Sequence, residues 1–205
     1  MRMAGLNDSV VSAAGRVLSE HGFRGLTLDR VAAAADISRA TLHRHGMTIA
    51  ALTGAMVRDA TAEYRDAMWP VLTDPAPART RLERALRTLC EVAERHLALL
   101  LAVSAQGDSV FHESDADGDE VGTQAIFIGP LERLLRDGVL DGTLRSADPH
   151  RDATLLFNVV GWSYMHLRAR HHWQAEQAAD DLISLALRGV AAPGEAPTTG
   201  QRRTE

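Results

Sequence analysis

Apolar residues recur at helical intervals through most of the chain, and turn residues punctuate them. Over residues 8–21, Val10, Ala13, Ala14, Val17 and Leu18 fall at i, i+3, i+4, i+7 and i+8, the stripe of an amphipathic helix that Gly22 ends. Phe23 and Leu26 follow, placed to plug a small core between this helix and the next two. Thr27 can cap a second helix with Leu28, Val31, Ala32 and Ala35 on one face and Asp29 in its first turn, where the macrodipole favours an anion. Asp36 ends it, since Asp tolerates the left-handed conformation of a tight turn better than most residues. Ile37 points inward, and Ser38 caps a third helix, residues 39–45. That helix is polar and basic, with Arg39, Thr41, His43, Arg44 and His45. Thr48 then caps a fourth helix, predicted to run to residue 69 with Leu52, Met56, Ala60 and Tyr64 on one face and to stop at Pro70.

Residues 73–77 (Thr-Asp-Pro-Ala-Pro) read as a punctuated linker. Residues 79–107 read as helix with a bend or break near His96. Leu82, Leu86, Leu89, Cys90, Ala93, Leu97 and Leu100 face inward, and Glu83–Arg87 and Glu91–Arg95 are spaced as i, i+4 pairs. Residues 108–124 form an acidic, Gly- and Ser-containing loop. Helix resumes over 126–138, with Pro130 near its start, and Gly138 and Gly142 frame a turn. Asp148 caps and Pro149 starts a helix to residue 172, and another spans 175–190. Both leave apolar residues on more than one side. The tail from residue 191, with Pro193, Pro197 and Gly200, is expected to be disordered. The predicted fold is all-α.

Composition adjusts this picture in three places. The 205-residue chain has no lysine, so its 22 basic residues are all arginine, first of all a sign of base bias in the coding sequence. The net charge of -5 argues against a nucleic-acid binder, but it is uneven: six arginines face four acids up to residue 50, leaving the excess acid in the remainder. Phosphates respond to the surface within a Debye length, about 8 Å at physiological salt, so a locally basic head on an acidic body can still dock. A lone Cys90 excludes an intramolecular disulfide framework, and the N-terminus lacks a signal-peptide core. The longest apolar run, residues 97–103, is far short of the roughly 20 residues of a membrane span. A cytoplasmic protein with no membrane association is the expectation.

Nine histidines and many carboxylates call for a search for catalysis, which finds little. There is no His-Glu-x-x-His or Glu-x-x-His pair and no phosphate-cradling Gly loop, so no metal and no cofactor is expected. Gly161-Trp-Ser163-Tyr-Met165 lacks the second Gly of a nucleophile elbow and sits in a helix. Read as a calcium loop, Asp115, Asp117 and Asp119 would put Glu120 where Gly is required and Ile126 where the bidentate Glu belongs. Cys90 on an apolar face reads as a core thiol, and His171-His172 as charges at a helix C-terminus. No enzyme is indicated.

The stretch TLDRVAAAADISRATLHRHGMT, residues 27–48, has the organisation of a helix-turn-helix, and residues from about 10 to 56 resemble the DNA-binding head of the tetracycline-repressor (TetR) family of transcriptional regulators. Three positions depart from the family pattern: His43 replaces a phosphate-contacting Tyr, Gly46 a buried Phe and Ile49 a phosphate-binding Lys. The resemblance implies a head over residues 1–50, an effector-binding and dimerisation body over 51–190 and a tail over 191–205. It implies a homodimer, paired through its last two helices, that binds a pseudo-palindromic double-stranded DNA operator. It also implies release by a small effector, the action of a repressor. By that resemblance Arg39, Thr41 and Arg44 are expected at base edges, and Thr27, His43 and Thr48 at phosphates, with Ser38 at the same surface. An effector cavity is expected within residues 82–172, with Leu89, His96, Leu100, Phe127, Phe157 and Trp162 as candidate lining. Each of these equally suits a core, and the apolar inventory favours an apolar or amphipathic effector. The rival is a helical small-molecule binding protein or enzyme that keeps the head as scaffold. A structural DNA-coating protein is disfavoured by the low overall basicity.

Overall fold

The computed structural model describes residues 2–105 and 125–191, and side chains from residue 7 onward. The acidic loop and the tail beyond Ala191 lie outside the described residues. The elements are α1 (Arg2–Gly25), α2 (Leu28–Ala34), α3 (Arg39–Arg44), α4 (Ile49–Thr73), α5 (Ala78–Arg95), α6 (Leu97–Ser104), α7 (Gly129–Leu140), α8 (Pro149–Arg170) and α9 (Ala175–Val190). An isolated antiparallel bridge joins Leu144 to Ala191. The described chain is all-α, as the periodicity predicts.

Side-chain capping sets four of the helix starts. Thr27, Ser38, Thr48 and Asp148 each accept a hydrogen bond from the backbone N–H three residues on. Asp36, with φ of 54°, makes the left-handed step between α2 and α3. Three expectations are corrected. First, α1 begins well before residue 8; its kink falls at Gly22, whose φ of 64° suits glycine. Second, Pro70 does not stop α4, which continues to Thr73. Pro70 and Asp66, four residues back, lie on the exposed side, so the carbonyl that loses its N–H partner faces water while Met68 and Val71 anchor the core side. Third, the two i, i+4 pairs along α5 give way to carboxylates on other helices: Arg87 reaches Asp180 at 2.7 Å and Arg95 binds Glu63.

Burial divides into two clusters. The body cluster joins Tyr64, Met68 and Val71 of α4 to α5, α7, α8 and α9. Cys90 lies in it, its thiol pushed up to about 12 by burial, which makes it a core residue. The head cluster joins Val10, Ala14, Val17 and Leu18 of α1 to Val31, Leu42, the first turns of α4 and, from far along the sequence, Leu99, Ala102 and Val103 of α6. The break at His96 turns the chain over, so Leu97 and Leu100 are only half-buried and a different face of α6 packs inward. A division after residue 50 is therefore a functional proposal, because the packing of the head draws on α4 and α6 as well.

Candidate nucleic-acid interface

Of α3, only Leu42 is buried, at 1 % exposure, and it locks the helix into the head. Arg39, Ala40, His43 and Arg44 are exposed, with Thr41 half-buried. The exposed face is internally ordered. Ser38 Oγ lies 2.9 Å from Thr41 Oγ1 and accepts from the Thr41 N–H at 3.1 Å, and Arg44 Nη2 donates to Thr41 Oγ1 at 3.3 Å. Arg39 Nη1 donates to both carboxylate oxygens of Asp29 on α2, each at 3.0 Å. Both side chains are about two-thirds exposed, so the pair contributes no more than about 1 kcal/mol. Arg39 can be redirected to a ligand at that small cost. Asp29 read in sequence as a first-turn anion; its second task of orienting Arg39 depends on the angle of the turn.

The three caps at the interface share one geometry. Thr27, Ser38 and Thr48 are exposed, and each begins a helix whose first N–H groups are the positive end of its dipole. Gly46 is explained by backbone conformation. It is exposed with φ of 66°, its N–H donates to His43 O at 3.0 Å and the Met47 N–H donates to Leu42 O at 3.0 Å, a Schellman termination of α3. Ile49 is half-buried against the head core. Arg16 holds the far end of α2, donating to Ala34 O at 2.8 Å.

The six candidate lining residues are not brought to one place. Phe127 stacks between Tyr64 and Phe157, with ring centroids 5.0 and 5.5 Å away, and Leu89 and Leu100 pack against the same cluster. Trp162 is exposed, five residues beyond Phe157 and so about 140° round α8. His96 lies between the two clusters, where its Nε2 is 2.7 Å from Glu63 Oε2. Glu63 also binds Arg95, and hydrogen bonding to His96, then to Arg95, holds its carboxyl below the ordinary range. This bridge went unseen in the sequence because its partners are more than thirty residues apart. Among the described residues, no cluster of three or more His, Cys, Asp or Glu is placed to hold a metal ion, and no helix is long and apolar enough to cross a membrane.

Residues 10–46 match the family of bacterial regulatory proteins called the tetR family. No curated protein matches the chain. Several solved structures do over nearly their whole length. A transcriptional regulator of the TetR/AcrR family from Thermobifida fusca shares 16% identity with a TM-score of 0.72, over 89% of this chain and 97% of that one. A putative TetR-family transcriptional regulator from Mesorhizobium loti shares 21% with a TM-score of 0.68, over 94% and 100%. Another from a Rhodococcus species shares 22% with a TM-score of 0.69, over 90% and 98%. Residues 10–46 thus match the tetR family of bacterial regulatory proteins, and the chain has the fold seen in these TetR-family transcriptional regulators.

Proposed function

We propose that this chain is a homodimeric DNA-binding repressor whose affinity for a pseudo-palindromic operator falls when a small apolar or amphipathic effector binds the body. The observation that carries the reading is the outer face of α3, where Arg39, His43 and Arg44 stand exposed beside a half-buried Thr41 on a helix anchored by Leu42 alone. Presented to a major groove, Arg44 and Arg39 have the fork geometry for guanine edges and Thr41 can contact either strand. Thr27, Ser38, His43 and Thr48 suit phosphates, with the helix N-termini adding N–H donors.

Pairing is supported by a second surface. Leu155, Val159 and Trp162 of α8 are 53, 48 and 41% exposed and fall at i, i+4 and i+7, and Leu185 of α9 is 59% exposed. An apolar stripe on the last two helices suits a four-helix bundle with a second copy. We place Trp162 on that surface and keep Leu89, Leu100, Phe127 and Phe157 as the candidate effector lining. Regulation then follows from linkage: an effector lowers operator affinity by its differential affinity for two body conformations.

The test is a footprint on the DNA upstream of the chain's own gene at defined salt, with excess nonspecific competitor. A two-fold symmetric protected site, with half-sites about 34 to 36 Å apart or a multiple of that, is expected. Arg44→Ala should lose about 1 to 3 kcal/mol of discrimination at one base pair. A uniform loss across sequences would make Arg44 a phosphate contact. Absence of competitor-resistant binding would favour a helical binding protein or enzyme that keeps the head as scaffold.

A further inference from the structure

Beside the Glu63 bridge, a partly open cavity of about 190 Å³ lies between α1, α4 and the corner where α5 becomes α6. It is smaller than the roughly 300 to 1,000 Å³ of drug-sized pockets, so it suits a ligand of few atoms. Leu18, Met56 and Leu99 give it an apolar wall, and Asp59, Arg95 and His96 a polar one.

Two features separate it from incidental space. Gly15 lines it from the interior of α1, where glycine is less favourable than alanine. Its backbone is not left-handed, and a Cβ there would meet only Met56 Sδ, at 4.0 Å, an ordinary contact. Neither conformation nor packing requires a glycine, and a larger side chain at this position would project into the cavity. The second feature is charge. Glu63 is engaged by Arg95 Nε and His96 Nε2, but the terminal nitrogens of Arg95 and the carboxylate of Asp59 make no hydrogen bond among the described residues. Asp59 precedes Glu63 by one helical turn, so one cation and one anion with unused capacity border the same small space.

We propose that this cavity binds a small zwitterion with a short apolar side chain, of the free amino acid class. Its carboxylate meets Arg95, its ammonium meets Asp59, and its side chain packs on Leu18, Met56 and Leu99. A monoanion of the same shape faces Asp59 and Glu63 unbalanced, and a monocation faces Arg95. The site is distinct from the effector cavity proposed in the body. Its occupant touches α1, α4 and the α5–α6 corner together and so fixes how the head sits on the body. That consequence for DNA rests on the regulator reading, whereas binding itself does not.

The test is calorimetry on the full chain without DNA, using leucine, valine and methionine, with 4-methylpentanoate and isoamylamine as leucine analogues that each lack one charge. Saturable binding of at least one amino acid is expected, with both analogues at least about tenfold weaker than leucine. Asp59→Asn, at a residue with no partner to lose, should weaken amino acid binding at least about tenfold with the unfolding midpoint unchanged. Gly15→Leu should abolish it, and Gly15→Ala, which checks the fold, should raise the midpoint slightly. No saturable binding of any amino acid would overturn the proposal, as would equal binding of either analogue or an unchanged affinity in Asp59→Asn. Footprinting with and without the bound amino acid then reports on the regulator reading separately.

Discussion

Glu94 on α5 receives three hydrogen bonds from α8: Arg168 Nε and Nη2 donate at 2.8 and 2.6 Å, and the Tyr164 hydroxyl donates at 2.9 Å. The side chains of Glu94 and Arg168 are 31 and 22% exposed, so solvent screens the group only in part. Bonding to Arg168 first, and to Tyr164 after it, holds the Glu94 carboxyl below its ordinary value of 4.5. Glu94→Gln preserves shape but removes the charge and turns one acceptor into a donor facing donors. Hydrogen bonds to charged groups contribute about 1.5 to 3 kcal/mol, and the partial exposure favours the lower part of that range, about 2 kcal/mol at pH 7. For a chain of this size the midpoint should fall by about 4 to 8 °C, at roughly 2 to 4 °C per kcal/mol. A carboxyl whose folded pKa lies below its unfolded one contributes fully above the unfolded value and loses that contribution as pH falls through the folded value. Urea unfolding of both proteins across pH should therefore show a free-energy gap that is full at about pH 6 and shrinks progressively below about 4.5. Glu63, Asp74 and Asp141, also held low, are present in both proteins and cancel in the difference. A gap that stays constant or widens on acidification would refute the assignment.

Three further outcomes test other parts of the structure. A Cβ on Gly138 would lie 2.3 Å from Leu144 Cδ1 and 2.7 Å from its Cβ, so Gly138→Ala should cost about 1 to 3 kcal/mol of overpacking, and less in a Leu144→Ala background, as a double-mutant cycle in urea would measure. Cys90, 1 % exposed, should resist a thiol reagent at pH 8 until the protein unfolds and then react completely; rapid labelling of the native protein would contradict its burial. Val159→Glu, in the exposed stripe of α8, should shift sedimentation toward monomer with helical content unchanged, and an unaltered dimer would move the interface elsewhere.

Local signals in the sequence proved dependable where the physics is local. Thr27, Ser38, Thr48 and Asp148 cap as their positions require, Asp36 turns the chain left-handed, and the break expected near His96 falls there. Pro70 misled because a proline rule describes the hydrogen bond it removes but not where the orphaned carbonyl faces. The α5 ion pairs misled because a partner on another helix competes with one on the same helix, and helix spacing carries no record of it. In α6 every residue from Leu97 to Val103 is apolar, so periodicity could not say which face the head would take. The outward character of α3 was legible, whereas the engagement of Arg39 by Asp29 depends on a turn angle that residue types do not specify.

The interleaving of the two cores bears on how a signal in the body could reach the head. Along α4, Ala60 is the last residue in the head core and Tyr64 the first in the body core. Along the next pair, α5 stays in the body core to Ala93, and the chain re-enters the head core at Leu99. The chain therefore passes between head and body twice, and at one level Glu63 ties the two passages together through Arg95 and His96. A single connecting helix would let the head turn about that helix axis. Two passages bonded side by side resist that rotation and leave a tilt in their common plane as the easier displacement. Changes in the packing of α5 against α7, α8 and α9 thus have two routes to the head, one to α1 through α6 and one along α4 from its second half, which packs with α5 in the body core. A ligand that alters either route would change the angle at which the α3 face is presented without touching α3 itself.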